Sequence, residues 1–428
     1  MQSSRQLLVA GISLFAVMLR ADDWPQFRGP NRDGVWNETG IMQTFPPEGL
    51  QVRWRAPVGR GLSSPVVAQG RVYLFDSEQG KPKARERLHC WDEKTGQPLW
   101  THLDDVSYPD WAFTGGEPMP NSTPIVEAGK VFAIGSTGHL LCLDAVKGTV
   151  LWEKKLSVDY GLKELWGNTP SLLIEGNLLI MVVEGTPKAW MLAVDKNSGK
   201  EVWRAVDHEH TIRRTYSSPM VINAGGQRQL IVWTPFGVTS LNPATGQTWW
   251  REEMTTIDYH TVAAPVIHGD LLLISGLMFQ LDPDKPTATV LWPEIKPMSK
   301  RVLSNTCIPL ILDGHVYAGK EQGQLVCLEA RTGKEIWKTD KVTSKIQGAS
   351  LHLTPNGDSV LIFTDEGNLI RARLTPKGYE ELSRVHLIDP TYPFVGRKVV
   401  WPPPAYANQH VFVRNDEELI CASLAPNL

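Results

Sequence analysis

AVDKNSGKEVW, residues 193–203, sets a small residue two positions ahead of an acid, then a turn carrying Gly199, then a short run ending on Trp203. The same phrase recurs along the chain. CWDEKTGQPLW ends at Trp100, CLDAVKGTVLW at Trp152, SLNPATGQTWW at Trp250 and CLEARTGKEIW at Trp337. A degraded copy keeps only TATVLW, ending at Trp292, and ARLTPKGYEEL places Leu382 where the Trp belongs. Successive Trp residues stand 42 to 52 positions apart, the length of a four-stranded repeating unit.

Each position of the phrase has a physical task. Its Gly suits a turn with positive φ, which is cheap only without a Cβ. The acid (Asp92, Asp144, Asp195, Glu329) can accept hydrogen bonds from the turn amides. The terminal Trp offers a large flat surface with which one unit can dock on the next.

A second marker runs in phase, a small or hydroxylated residue and a Pro ahead of a β-branched run. It stands at Pro65, Pro124, Pro170, Pro219, Pro265, Pro309 and Pro404, with ASLHL at Leu351 completing eight openings. Between openings the pattern reads strand, tight turn, strand, loop, strand, Gly turn, strand, and no segment keeps a helical apolar period. The last phrase, begun at Cys421, lacks its final strand, while LQVRWRAPV, with Trp54, stands ahead of the first opening with no phrase before it. One orphan strand matches one vacancy. The chain is therefore expected to be all-β, an eight-bladed β-propeller of four-stranded antiparallel blades, closed by an N-terminal strand that completes the last blade.

Of the 428 residues 42% are apolar and 21% charged, with a formal net charge of −3 and no block of one sign, which argues against nucleic-acid binding. The first 21 residues, MQSSRQLLVAGISLFAVMLRA, carry a thirteen-residue apolar core, short for a membrane span and suited to a signal peptide. The expected division is a signal peptide at 1–21, an extension at 22–50 and a single propeller at 51–428. No later segment is apolar enough to span a bilayer.

The phrase resembles the repeat of the PQQ-type β-propellers, which include the quinoprotein alcohol dehydrogenases and a lipoprotein of the bacterial outer-membrane assembly machine. DWPQFRGPNRDG, residues 23–34, looks like the opening of a large group of exported bacterial PQQ-like propellers. The resemblance spans nearly the whole mature chain and implies the fold more strongly than an activity. The dehydrogenase pattern of adjacent cysteines, a catalytic Asp and a calcium site of Glu and Asn is not matched, nor is a lipidated Cys after the leader.

In such a meander the links between blades and the loops between second and third strands share one face, the channel mouth. The residues entering each blade, Asn121, Asn168, Tyr216, His260, Asn305, Gln347 and Trp401, are the ligand or cofactor candidates. Cations near these links, Arg397 and Lys398 among them, suit an anionic ligand. The insertion at 104–120 brings Tyr108, Trp111 and Phe113 to the same face as partner-loop candidates. No catalytic or metal-ligating set stands out; His208 and His210 alone cannot complete a metal site.

The expectation is an exported binding or scaffold propeller, periplasmic or secreted and monomeric. It would hold a protein partner or small polar ligand at the mouth, without cofactor and without nucleic acid. The alternative is a small-ligand enzyme at the mouth, a quinoprotein-type oxidoreductase using PQQ with calcium.

Cys90, Cys142, Cys327 and Cys421 share the first position of the phrase, so the repeat keeps them apart. Denatured protein without reductant should titrate all five thiols; a count of three would mean a bridge and a wrong register.

Overall fold

The computed structural model describes residues 23–426, except 81–82, 109–118, 162–169, 186–188, 207–213, 235, 254–259, 294–302, 305, 321, 347 and 395. Eight four-stranded antiparallel sheets follow one another as blades of a propeller. They cover 66–107, 125–155, 173–205, 220–253, 266–293, 310–339, 351–386, and 405–423 together with Val52–Pro57. In each blade the first strand lies innermost and the order runs outward without crossover, as the repeat requires.

Closure is made as the orphan strand implied. Val52–Pro57 pairs antiparallel with Glu418–Ser423, matching Trp54 to Cys421 and Arg55 to Ile420, so the eighth blade is built from both ends of the chain.

The phrase is the fastener between blades. The indole N–H of Trp54 donates to Glu93 O at 2.7 Å, Trp100 to Ala145 O at 3.2 Å and Trp152 to Lys196 O at 3.1 Å. Trp203 donates to Pro243 O, Trp292 to Ala330 O and Trp337 to Thr375 O, all at 2.8–3.0 Å. Each acceptor belongs to the third-to-fourth-strand turn of the following blade, and Trp54 carries the series across the seam. Under the ring sits the turn glycine: a Cβ on Gly148, at φ +70°, would stand 2.5 Å from the Trp100 ring. The acids do what the spacing suggested. Asp92 Oδ1 accepts from the N–H groups of Lys94 and Thr95 and from the Thr95 hydroxyl. The Thr95 bond foremost holds the Asp92 carboxyl below its ordinary range.

Apolar cores fill the seams. One joins blades 1 and 2 around Tyr73, Phe75 and Leu141, another blades 2 and 3 around Phe132 and Leu179. The closing seam has the largest, with Phe363, Phe412, Trp54 and the N-terminal Trp24 and Trp36. All five cysteines are buried and unbridged, four of them in different blades. Among the described residues no helix is long and apolar enough to cross a membrane.

One register differs from the sequence reading. Ser64 N–H donates to Thr123 Oγ1, Thr123 N–H to Ser171 Oγ and Ser171 N–H to Ser218 Oγ, at 2.9–3.2 Å. This belt makes Leu172, not Pro170, the counterpart of Pro65, Pro124 and Pro219. The hydroxyl preceding the strand, not the proline, is what the neighbouring blade uses.

Gly148→Ala should destabilise the propeller by about 3 kcal/mol or more, combining left-handed strain with a clash against Trp100. Gly70→Ala, at φ +74° with nothing within 4 Å of the new Cβ, isolates the strain at about 1–2 kcal/mol. Equal losses in urea titrations of the two variants would show that the indole contact adds nothing.

Candidate functional site

The bore of the ring is filled by the segment that precedes the first blade. Trp24 exchanges two backbone hydrogen bonds with Val67 on the inner strand of blade 1, and Pro25 O accepts from Val126 N–H of blade 2. The Arg32 guanidinium donates to Leu172 O at 2.6 Å and Pro219 O at 3.1 Å, at the entries to blades 3 and 4. Arg28 reaches Pro265 O of blade 5 at 3.5 Å. Trp36 N–H donates to Pro355 O, and Asn356 Nδ2 donates to the carbonyls of Trp36 and Glu38, tying the segment to blade 7. Tyr406 of blade 8 stacks on Trp36 at 5.2 Å and meets Trp24 edge-on at 5.8 Å. The plug thus grips the inner edges of seven blades.

Its conformation is not relaxed. Arg28 and Arg32 have φ of 62° and 58°, where a side chain costs about 1–2 kcal/mol. Gly29 and Gly34 let the chain fold tightly over Trp24 and Arg28. These are the functional candidates that sequence reasoning missed. Two arginines in a Gly- and Pro-rich stretch just before the first blade were the available signal.

On the mouth face, polar clusters sit at the seams. Between blades 1 and 2 the fully buried Glu86 accepts from the Tyr108 hydroxyl at 2.9 Å and the Ser136 N–H at 3.0 Å, and from the Ser136 hydroxyl, all at Oε1. Its Oε2 has no partner and packs on Gly135. Burial pushes the Glu86 carboxyl above its ordinary range against the opposing bonds from Ser136 and Tyr108. At the closing seam Asp76, fully buried, accepts from Gly59 N–H at 2.6 Å, from Arg87 at 2.8 and 3.0 Å and from His89 at 3.1 Å. Burial works to raise this carboxyl, but the bonds from His89 and Arg87 outweigh it and bring it to about 2. Between blades 7 and 8, Asp365 takes Arg397 at 2.6 Å and the Thr343 hydroxyl at 3.0 Å.

Of the mouth candidates, Asn121 is half-buried at the entry to blade 2, its Oδ1 without a hydrogen-bond partner. Tyr216 is half-buried ahead of blade 4, and Trp401 precedes blade 8, packed against Tyr392 and Phe394 at 5.1 and 4.6 Å. The His260 backbone forms a parallel ladder with Arg214, joining the links into blades 4 and 5. These residues are spread around the ring, not gathered in one pocket. Asn168, Asn305 and Gln347 lie outside the described residues, as do Trp111, Phe113, His208 and His210. Tyr108 is 6% exposed with its hydroxyl on Glu86, so its ring is core and not a free anchor. Arg397 is neutralised by Asp365 and Arg60 lies 3.7 Å from Asp416, so these mouth cations are paired. In the bore, Arg28 and Arg32 have no carboxylate within ion-pair distance among the described residues, their guanidinium groups donating to carbonyl oxygens and to Gln26 Oε1.

PQQ with calcium does not fit beside the plug. The pocket described there is about 30 Å³, far below the several hundred that a multi-ring ligand takes, and the cationic Arg28 that lines it repels a divalent cation. Among the described residues no group of three or more His, Cys, Asp or Glu side chains is placed to hold a metal.

A family model described as outer membrane protein assembly factor BamB matches residues 84–282 and 280–383. The outer membrane protein assembly factor BamB of Moranella endobia is 22% identical over 58% of this chain and 65% of its own length, so the chain spans just under two thirds of that relative. Among solved structures, BamB from Moraxella catarrhalis superposes with a TM-score of 0.59 at 15% identity, over 87% of this chain and 99% of that one. Quinohemoprotein alcohol dehydrogenase from Comamonas testosteroni gives 0.68 at 15% identity, over 95% and 81%. At such identities the structures speak for the fold alone.

Glu86 supplies a pH test. A carboxyl raised in the folded state gives stability that is complete below its unfolded value, near 4.3, and fades as pH climbs through the raised folded value. Glu86→Gln should therefore match wild type at pH 4 and equal or exceed it at pH 7, read as the melting temperature. A loss of several degrees at pH 7 with Gln, as with Ala, would mean that the ionised carboxylate is the stabilising form.

Proposed function

We propose that this chain, which belongs to the PQQ-repeat propeller family described as outer membrane protein assembly factor BamB, is an exported binding and scaffold propeller holding a protein partner on its mouth face. The observation that carries this reading is the filled bore. With the bore occupied by the protein's own chain, the pocket beside the plug among the described residues is about 30 Å³, too small for most substrates, which favours an external recognition surface. External, loop-built faces suit macromolecules.

The partner's class follows from the names of the relatives. Those proteins are called assembly factors for outer membrane proteins, so the proposed partner is a protein handled in that process, met in the periplasm after export. Residues 1–21 would supply the leader, 22–50 the plug and its return, and 51–428 the propeller.

The mouth candidates Asn121, Asn168, Tyr216, His260, Asn305, Gln347 and Trp401 would frame the docking face. Trp111 and Phe113 on the loop leading into blade 2 are the proposed apolar anchors, since buried aromatics dominate interface energetics. The aromatic group of Trp401, Tyr392 and Phe394 lies on the link between blades 7 and 8.

A fluorescently labelled, urea-unfolded outer-membrane β-barrel protein, diluted into purified chain, is the probe. Saturable binding by anisotropy is expected. The Trp111→Ala, Phe113→Ala double variant should weaken it about tenfold or more while its melting temperature stays within about 2 °C. Unchanged affinity would remove the loop from the interface. Absence of binding, together with dye reduction on adding PQQ and calcium, would overturn the reading.

A further inference from the structure

Beside the plug lies a small space of about 30 Å³, room for one or two waters or one small ion. Trp24, Arg28, Ser64, Ile308, His352 and Pro404 are among the residues that line it, none of them acidic. The Arg28 guanidinium donates to two carbonyl oxygens, Asp33 at 2.7 Å and Pro265 at 3.5 Å. Arg32 behind it donates to two carbonyls and to Gln26 Oε1. Among the described residues neither guanidinium has a carboxylate within ion-pair distance. Asp33, the acid whose charge acts on Arg28, has its Oδ1 engaged by Val35 N–H.

Two cations are thus drawn into the bore with no described group of opposite sign bonded to them. Burial lowers Arg28 to about 10 and Arg32 to about 9, the second also through repulsion by the first. Buried charge is stable when paired, and the fold holds both residues in left-handed backbone to keep them there. Ser64 adds a second sign of a ligand. Its hydroxyl oxygen is buried and has no hydrogen-bond partner, although its backbone N–H is used by the belt. His352 donates from Nε2 to Trp401 O at 2.8 Å, and burial pulls it down to about 4, so it brings no charge of its own.

We propose that this space is a small-anion site, taking a chloride ion or a single carboxylate group, with Arg28 as its counter-charge and the Ser64 hydroxyl as its donor. A free ion needs nothing further. The carboxylate is likewise a small free ion, formate being the smallest of its class.

The test is thermal unfolding of the whole protein at constant ionic strength in sodium chloride, sodium formate or sodium gluconate, the last too large to enter. A ligand that binds only the folded state raises the melting temperature with its concentration, by about 2–4 °C here between gluconate and 0.3 M chloride. Ser64→Ala should reduce that difference and Arg28→Gln abolish it. Arg28→Lys, which keeps the charge, guards against a plug that fails to seat and should retain part of the effect. A rise in both chloride and formate supports the site with either ion. A rise in chloride alone supports the chloride site and overturns the carboxylate. Equal melting temperatures in all three salts, or a difference that survives Arg28→Gln, overturns the site. Repeating the β-barrel probe assay in gluconate with Ser64→Ala separates the anion site from the mouth-face reading, since partner binding can persist while the salt effect is absent.

Discussion

The structure depends on one contact, made at five of the eight seams: an outer-strand indole laid on the glycine turn of the next blade. A buried Trp removes roughly 150–250 Å² from water, about 4–6 kcal/mol at the usual coefficient, and its N–H fixes the angle of approach through one carbonyl. Repeated around the ring, the contact makes each blade's position conditional on its neighbour's. The break in the series shows the rule. The turn of blade 5, Asp282-Pro-Asp-Lys-Pro-Thr287, has no glycine, and Trp250 turns back to Gln229 Oε1 of its own blade at 2.8 Å. Gly225 instead makes room for the backbone at Lys285, and a cleft of about 490 Å³ opens beside it.

Closure and plugging are one device. The chain fills the bore, returns along blades 7 and 8, where Met42 N–H meets Leu424 O and Arg371 meets Met42 O, and becomes the outer strand of the last blade. The strand that seals the ring therefore also tethers the plug. This leaves the bore with two arginines and little free volume beside the plug.

The mouth face is ordered by charge pairs at the seams. Asp76 with Arg87 and His89, and Asp365 with Arg397, each satisfy a buried carboxylate from more than one direction. Glu86 is different, since three donors converge on one oxygen while the other is left against Gly135. Tyr108 holds the start of the long loop to that carboxyl, so the loop springs from an anchored base.

The amino-acid sequence by itself determined the blade count, the strand order and the seam, because each rests on a local rule repeated many times. A Gly at φ near +70°, an acid capping its own turn and a Trp eleven positions along are legible wherever they recur. What only the tertiary structure decided has no period. Leu172 replaces Pro170 as the blade entry because a hydroxyl of the next blade selects it. Tyr108 turned inward because a buried carboxyl 22 residues earlier needed a donor. The plug was the least legible feature: Arg32 finds its acceptors 140 and 187 residues away, at carbonyls that every residue possesses. Backbone acceptors carry no residue identity, so the ring had to exist before the bore, and what fills it, could be read.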